Sequence, residues 1–143
     1  MKKRSKRVPR PIKIPITGMR NRIALDARIA FDVLCRQPDV EKFDDLIDIF
    51  NTMTVIAHND ARFEPEKTMI SGASRALILA RELIANHLQL PQRLLDPIRI
   101  GVNTIDEMLP RIDVALLINA ERSAVAAVKK IMREERDAKK TIE

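Results

Sequence analysis

The residues of this chain that could do chemistry are mostly cations, and they are concentrated at the N-terminal end. Residues 1–22 hold nine of the 26 basic side chains and none of the 20 acidic ones. The rest of the chain therefore has 17 basic and 20 acidic residues, a formal net charge of −3. A basic segment next to a nearly neutral body predicts a polyanionic or acidic partner. The nine cations are Lys2, Lys3, Arg4, Lys6, Arg7, Arg10, Lys13, Arg20 and Arg22.

These cations predict a nucleic-acid interface. Lys and Arg neutralise phosphates and release condensed counterions, so DNA or RNA would be bound with little sequence preference. The segment has no Phe, and the chain has no Tyr or Trp, which argues against base stacking and a dedicated single-strand binder. An acidic protein surface suits the same cations, so that alternative stays open.

Residues 1–17 are predicted to form an extended arm, because three prolines oppose helix formation there. Within the arm, three isoleucines alternate with Lys13 and Pro15 and would share one face of an extended chain. We expect residues 11–17 to dock on the body or on a neighbouring subunit. The predicted partner-binding isoleucines are Ile12, Ile14 and Ile16.

A second cluster is acidic and lies on a predicted helix. Its residues recur at spacings of three and four, so they share one helix face. The pattern is typical of a solvated face, and it also suits a docking surface for a basic arm, its own or a neighbour's. A metal centre is disfavoured because no Glu-x-x-His pair accompanies it. The residues are Glu41, Asp44, Asp45 and Asp48.

The sequence predicts no enzyme, no metal site and no cofactor. One cysteine and two histidines match no zinc-finger spacing, and the phosphate-binding, dinucleotide and nucleophile-elbow motifs are missing. His58 and His87 are expected at helix C-termini. Cys35 cannot form an intramolecular disulfide, which fits a reducing, cytoplasmic setting. No apolar run is long enough to predict a membrane span.

Composition favours an all-α fold. Only three glycines are present, and long stretches are rich in Ala, Leu, Ile, Arg and Glu. We predict one domain over residues 18–143, a bundle of four to six mostly antiparallel helices behind the extended basic arm. Apolar periodicity predicts helices over about 18–36, 40–58, 65–88 and 112–139. Thr17 and Asp39 are the predicted caps of the first two.

The stretch between residues 91 and 110 predicts either one kinked helix or two short ones. Asp96-Pro97 resembles a cap followed by a first-turn proline, and Thr104 with Glu107 matches a capping box. A helix-turn-helix with its turn at Gly101 is disfavoured, because it would put Pro97 and Pro110 inside helices.

Two features bear on self-association. Gly72, Ala76 and Ala80 fall on one ridge of the third helix, which suits internal packing or a contact between copies. Ile78 and Leu79 lie off the apolar stripe of that helix, so it is expected to be buried on more than one side. The apolar side of the last helix is another candidate for pairing.

Together these patterns predict a small, non-enzymatic nucleic-acid-binding accessory or regulatory protein. Its cationic arm would be carried on a self-associating, dimeric or larger, helical body. The alternative is a protein–protein adaptor or inhibitor whose arm and helical face bind an acidic protein.

Overall fold

The computed structural model of the chain describes residues 16–142, and within this range the fold is entirely helical. The expected all-α bundle of four to six helices is therefore confirmed. Two 3₁₀ turns, Ala61–Phe63 and Leu109–Arg111, precede the third helix and follow the fourth. The α-helices are α1 Ile16–Arg36, α2 Val40–Asn59, α3 Glu64–Ala85, α4 Gln92–Met108 and α5 Val114–Ile142.

The first four helices form an antiparallel ring. Helix α1 packs on α2, α2 on α3, α3 on α4, and α4 returns to α1. Helix α5 lies outside this ring and packs mainly across α2. The core is aliphatic, with the two phenylalanines Phe50 and Phe63 fully buried within it. Short connections between consecutive helices enforce the alternating directions.

The first two helix starts test the predicted caps. The Asp39 carboxylate accepts a hydrogen bond from the Lys42 backbone N–H at 3.2 Å, so the predicted cap of α2 is confirmed. Helix α1 begins at Ile16 rather than Gly18, so Thr17 lies inside its first turn and Ile16 is not extended. A proline restricts itself and the residue before it, but not the residues that follow. Pro15 therefore does not prevent a helix from beginning at Ile16.

Helix α3 ends in a Schellman motif. The Leu88 N–H donates to the Leu83 carbonyl at 2.9 Å, and the His87 N–H donates to the Ile84 carbonyl at 3.0 Å. His87 has a φ of 56°, the left-handed position that usually holds glycine. The predicted end at Leu88 is three residues too late. The helix stops at Ala85, and His87 rather than a glycine occupies the left-handed position, so the sequence does not mark the stop.

Helix α4 is continuous through Pro97, so the stretch forms one helix rather than two, and the predicted cap at Asp96 and first-turn proline are wrong. Pro97 removes the hydrogen bond to the Arg93 carbonyl, which costs about 3 kcal/mol inside a helix. Arg93 lies near the exposed start of α4, where water can hydrate that carbonyl. Each buried Leu or Ile side chain contributes about 1.5–3 kcal/mol, so the buried face of α4 outweighs this loss. That face contains Leu94, Leu95, Ile98, Val102, Ile105 and Met108.

The predicted capping box at Thr104 and Glu107 is also wrong. Thr104 is buried inside α4, and its hydroxyl donates to the Ile100 carbonyl at 2.7 Å. A threonine whose hydroxyl donates to a carbonyl of its own helix can lie inside that helix and is not an N-cap. Helix α4 is also continuous at Gly101, so a helix-turn-helix is absent from this part of the chain.

Gly101 lies where three helices approach one another closely. A Cβ at this position would overlap the Ala73 Cβ and lie 2.7 Å and 2.8 Å from the Cε1 and Cζ atoms of Phe50. Helices α2, α3 and α4 therefore meet at a point that only glycine fits. Gly72 differs, because a Cβ there would meet nothing within 4 Å. The residues of the predicted ridge, Gly72, Ala76 and Ala80, do not share one environment. Both alanines are buried inside the monomer, and Gly72 is exposed.

The two glycines make a matched pair for a stability test. We expect Gly101→Ala to lower the free energy of unfolding by about 1–3 kcal/mol. The added methyl group overlaps Ala73 and the Phe50 ring, so α4 or that ring must move. Gly72→Ala should raise it by about 0.5–1 kcal/mol, because alanine favours an exposed helix interior. Urea unfolding followed by circular dichroism measures both. Equal effects of the two substitutions would contradict the close packing at Gly101.

Candidate nucleic-acid interface

The structure places two of the nine predicted phosphate-binding cations, Arg20 and Arg22, on the first turns of α1. Ile16, one of the three predicted partner-binding isoleucines, begins the same helix. The other predicted residues of the arm lie outside the described part of the chain. They are Lys2, Lys3, Arg4, Lys6, Arg7, Arg10, Lys13, Ile12 and Ile14.

Arg20 and Arg22 have different surroundings. The Arg20 guanidinium donates to the Ile112 carbonyl at 2.5 Å, which ties α1 to the connection before α5. Its Nε is buried without a hydrogen-bond partner. The Arg22 side chain is 68% exposed, and its Nε lies 3.8 Å from the Asp26 carboxylate, one turn further along α1. Arg22 is therefore exposed to solvent beside a carboxylate, whereas Arg20 is engaged in holding the fold.

The start of α1 lies at the end of the bundle where α2 and α4 finish, because neighbouring helices are antiparallel. Two arginines at this end are held by internal contacts. The Arg111 guanidinium lies over the Phe63 ring, 4.8 Å from its centroid, and donates to the Glu66 carboxylate at 2.8 Å. Arg62 donates to the Asp60 carboxylate at 2.8 Å. These hydrogen bonds hold the pKa of Glu66 and of Asp60 below their ordinary values.

The C-terminal part of α5 brings further cations to this end of the bundle. His58, at the end of α2, borders a groove of about 220 Å³ with Lys130 and Glu134 of α5. Ile131 is buried, and residues 132–140, which follow it in α5, are all exposed. Sequence reasoning missed this juxtaposition, because it depends on where α5 crosses α2. The cations are Lys129, Lys130, Arg133, Arg136, Lys139 and Lys140.

The acidic face of α2 is exposed as predicted from its spacing and runs from mid-helix to the opposite end of the bundle. Asp45 lies 3.7 Å from the Lys42 ammonium group. Partial burial, and then the carboxylates of Asp44 and Asp45, raise the pKa of Asp48. Asp45 and Asp48 also border a groove of about 350 Å³ with Arg22 and Ile29 of α1. The acidic face thus meets α1 along a shallow, mixed surface.

The remaining residues that could do chemistry are the cysteine, the two histidines and the other carboxylates. In the described part of the chain, no group of three or more His, Cys, Asp or Glu side chains is arranged to hold a metal ion. Burial raises the pKa of the Cys35 thiol, which disfavours the reactive thiolate. His58 and His87 lie in separate places, at the end of α2 and just after α3. Within residues 16–142, each helix is too short or too polar to cross a membrane.

Comparison with known proteins adds no relative: no family model, no curated protein and no solved structure matches this chain.

Ionisation of the Asp48 carboxyl lowers the stability of the fold, so stability depends on pH. The raised pKa of Asp48 means that the folded state holds the proton more tightly than the unfolded chain, whose pKa is near 3.8. Stability from this group is therefore present below that pH and is lost as pH rises through the folded pKa. We expect Asp48→Asn to be more stable than wild type at pH 7, by up to about 0.5 kcal/mol after solvent screening.

Asp32→Asn is the matched control, because Asp32 is exposed on α1 and paired with Arg36. It should leave stability unchanged or slightly lower at pH 7. Urea unfolding across the acid range measures both variants, and the gain from Asp48→Asn should vanish below about pH 3. A gain that persists in acid would contradict an electrostatic origin.

Proposed function

We propose that this chain is a small, non-enzymatic nucleic-acid-binding protein that holds its ligand electrostatically. The observation that carries the proposal is the segregation of charge, with nine basic and no acidic residues among the first 22. The remainder of the chain has a formal net charge of −3, so attraction to phosphate would be concentrated in one segment.

The position of α5 supports this proposal. The arm joins the body at the start of α1, and the cationic part of α5 leaves it at the same end of the bundle. One polyanion could therefore contact both. The acidic residues of α2 extend toward the opposite end, where they would repel phosphate and help to orient the ligand.

Contacts of this kind are made to the backbone of the nucleic acid, so little sequence preference is expected. Lys and Arg on flexible stems recognise phosphate by charge alone, whether it belongs to DNA or to RNA. The proposal includes an accessory or regulatory role, for which binding alone is sufficient.

The second candidate is an adaptor or inhibitor that binds an acidic protein. The feature that favours it is the alternation of Ile12, Ile14 and Ile16 with charged and proline residues, which nucleic acid does not require. An adaptor should lose its partner when these isoleucines become serine, and should keep it after nuclease treatment. A nucleic-acid binder should show the reverse in both respects.

A matched pair of triple variants tests the leading proposal. Replacing Arg4, Arg7 and Arg10 by Gln removes three arm cations. Replacing Arg81, Arg93 and Arg122 removes three exposed cations of the body. Both variants lower the net charge equally, so only the location of the charge differs. Fluorescence anisotropy with a short labelled DNA duplex, between about 50 and 200 mM salt, measures the affinity.

We expect the arm variant to flatten the slope of log K against log salt by about 2 to 3, since each phosphate contact contributes about 0.9. The body variant should change the slope by less than about 1. Equal loss in the two variants would mean that net charge alone attracts the duplex. Absence of binding by the wild-type chain at low salt would overturn the proposal.

A further inference from the structure

The outer face of α3 carries two neighbouring apolar side chains that the monomer leaves uncovered. Ile78 is 59% exposed and Leu79 is 67% exposed, the highest value for a large apolar side chain in the described residues. The prediction that α3 is buried on a second side is thus unmet within one chain. A contiguous apolar patch with polar residues around it can mark a contact surface.

Two opposite charges flank this apolar pair. Arg75 precedes Ile78 by three residues, and Glu82 follows Leu79 by three, so all four residues share one face of the helix. Arg75 and Glu82 are both exposed, and within the described residues neither side chain forms an ion pair. Both charged groups are therefore available to a partner. The cation precedes the anion along the helix, so an antiparallel partner helix would put opposite charges together.

We propose that a second copy of this chain packs on this face, with the two α3 helices antiparallel about a two-fold axis between Ile78 and Leu79. Arg75 and Glu82 are equally distant from that midpoint, so Arg75 would lie opposite the partner subunit's Glu82, and Glu82 opposite the partner subunit's Arg75. The surface is self-complementary, which is the requirement for an isologous dimer.

The surroundings of this face suit the close approach of two helices. The next turn toward the start of α3 contains Ser71 and Gly72, and at Gly72 a Cβ would meet nothing within 4 Å. On the other side, Leu79 borders a groove of about 660 Å³ that Leu83 and Leu88 also line. The contact therefore combines a small flank, an apolar centre and an ion pair at each end.

Charge exchange tests the pairing directly. Sedimentation equilibrium of the wild-type chain should show a mass that rises with concentration toward twice 16.3 kDa. Arg75→Glu and Glu82→Arg should each weaken dimerisation about tenfold or more, because each creates two like-charge contacts. The double variant restores opposite charges in reversed order, and its dissociation constant should return to within about threefold of wild type.

Two further variants separate the surface from general effects. Leu79→Ser should weaken dimerisation about 100-fold, since it removes two leucine side chains, one from each copy, that the dimer would bury. Arg122→Glu on α5 makes the same charge change at an exposed residue outside the surface and should leave the dissociation constant unchanged. All of these residues are exposed, so circular dichroism should show the wild-type helix content throughout.

Several results would overturn the inference. A single-chain mass at every concentration removes the dimer. A dimer weakened by Arg122→Glu but not by Arg75→Glu assigns self-association to α5. A double variant no stronger than the weaker single variant removes the antiparallel register. None of these outcomes depends on nucleic-acid binding, so the two proposals stand or fall separately.

Discussion

The bundle depends on the meeting of three helices at Gly101. The absence of a side chain there lets α4 approach Ala73 of α3, and lets the Phe50 ring of α2 reach across the core to the same point. Close-packed interiors transmit small changes of volume, so this position fixes how α3 and α4 lie against each other. Helix α1 packs on α4 through its buried residues Ala27, Ala30 and Leu34, and Arg28 pairs with Asp106 of α4 at the surface.

That geometry has consequences for the surface. An antiparallel ring puts the start of α1 beside the ends of α2 and α4, at the end of the bundle where Lys130 of α5 lies near His58 of α2. The acidic face of α2 extends away from this end. Inward packing of α3 through Ala73, Ala76 and Ala80 leaves Ile78 and Leu79 facing outward. The two proposed binding surfaces thus follow from one packing arrangement.

Much of this fold could be predicted from the sequence, and the failures have physical reasons. Apolar periodicity located α2 well, and Asp39 marked its start. Local motifs failed in α4, where Pro97 and Thr104 resemble caps but burial of one helix face dominates. The end of α3 was misplaced because His87 adopts the backbone conformation expected of glycine. The importance of Gly101 was hidden, since it depends on residues distant in sequence. The exposed acidic face of α2 could be predicted from the spacing of its carboxylates, whereas the crossing of α5 over α2 required tertiary contacts.

The packing at Gly101 is tested most directly by nuclear Overhauser effects in the full chain. The structure predicts cross-peaks from the Gly101 Hα protons to the Phe50 ring protons and to the Ala73 methyl group. It also predicts that the Phe50 ring displaces the chemical shifts of those Hα protons. Cross-peaks between all three residues would support the account. A Gly101 residue that shows contacts only within α4 would contradict it.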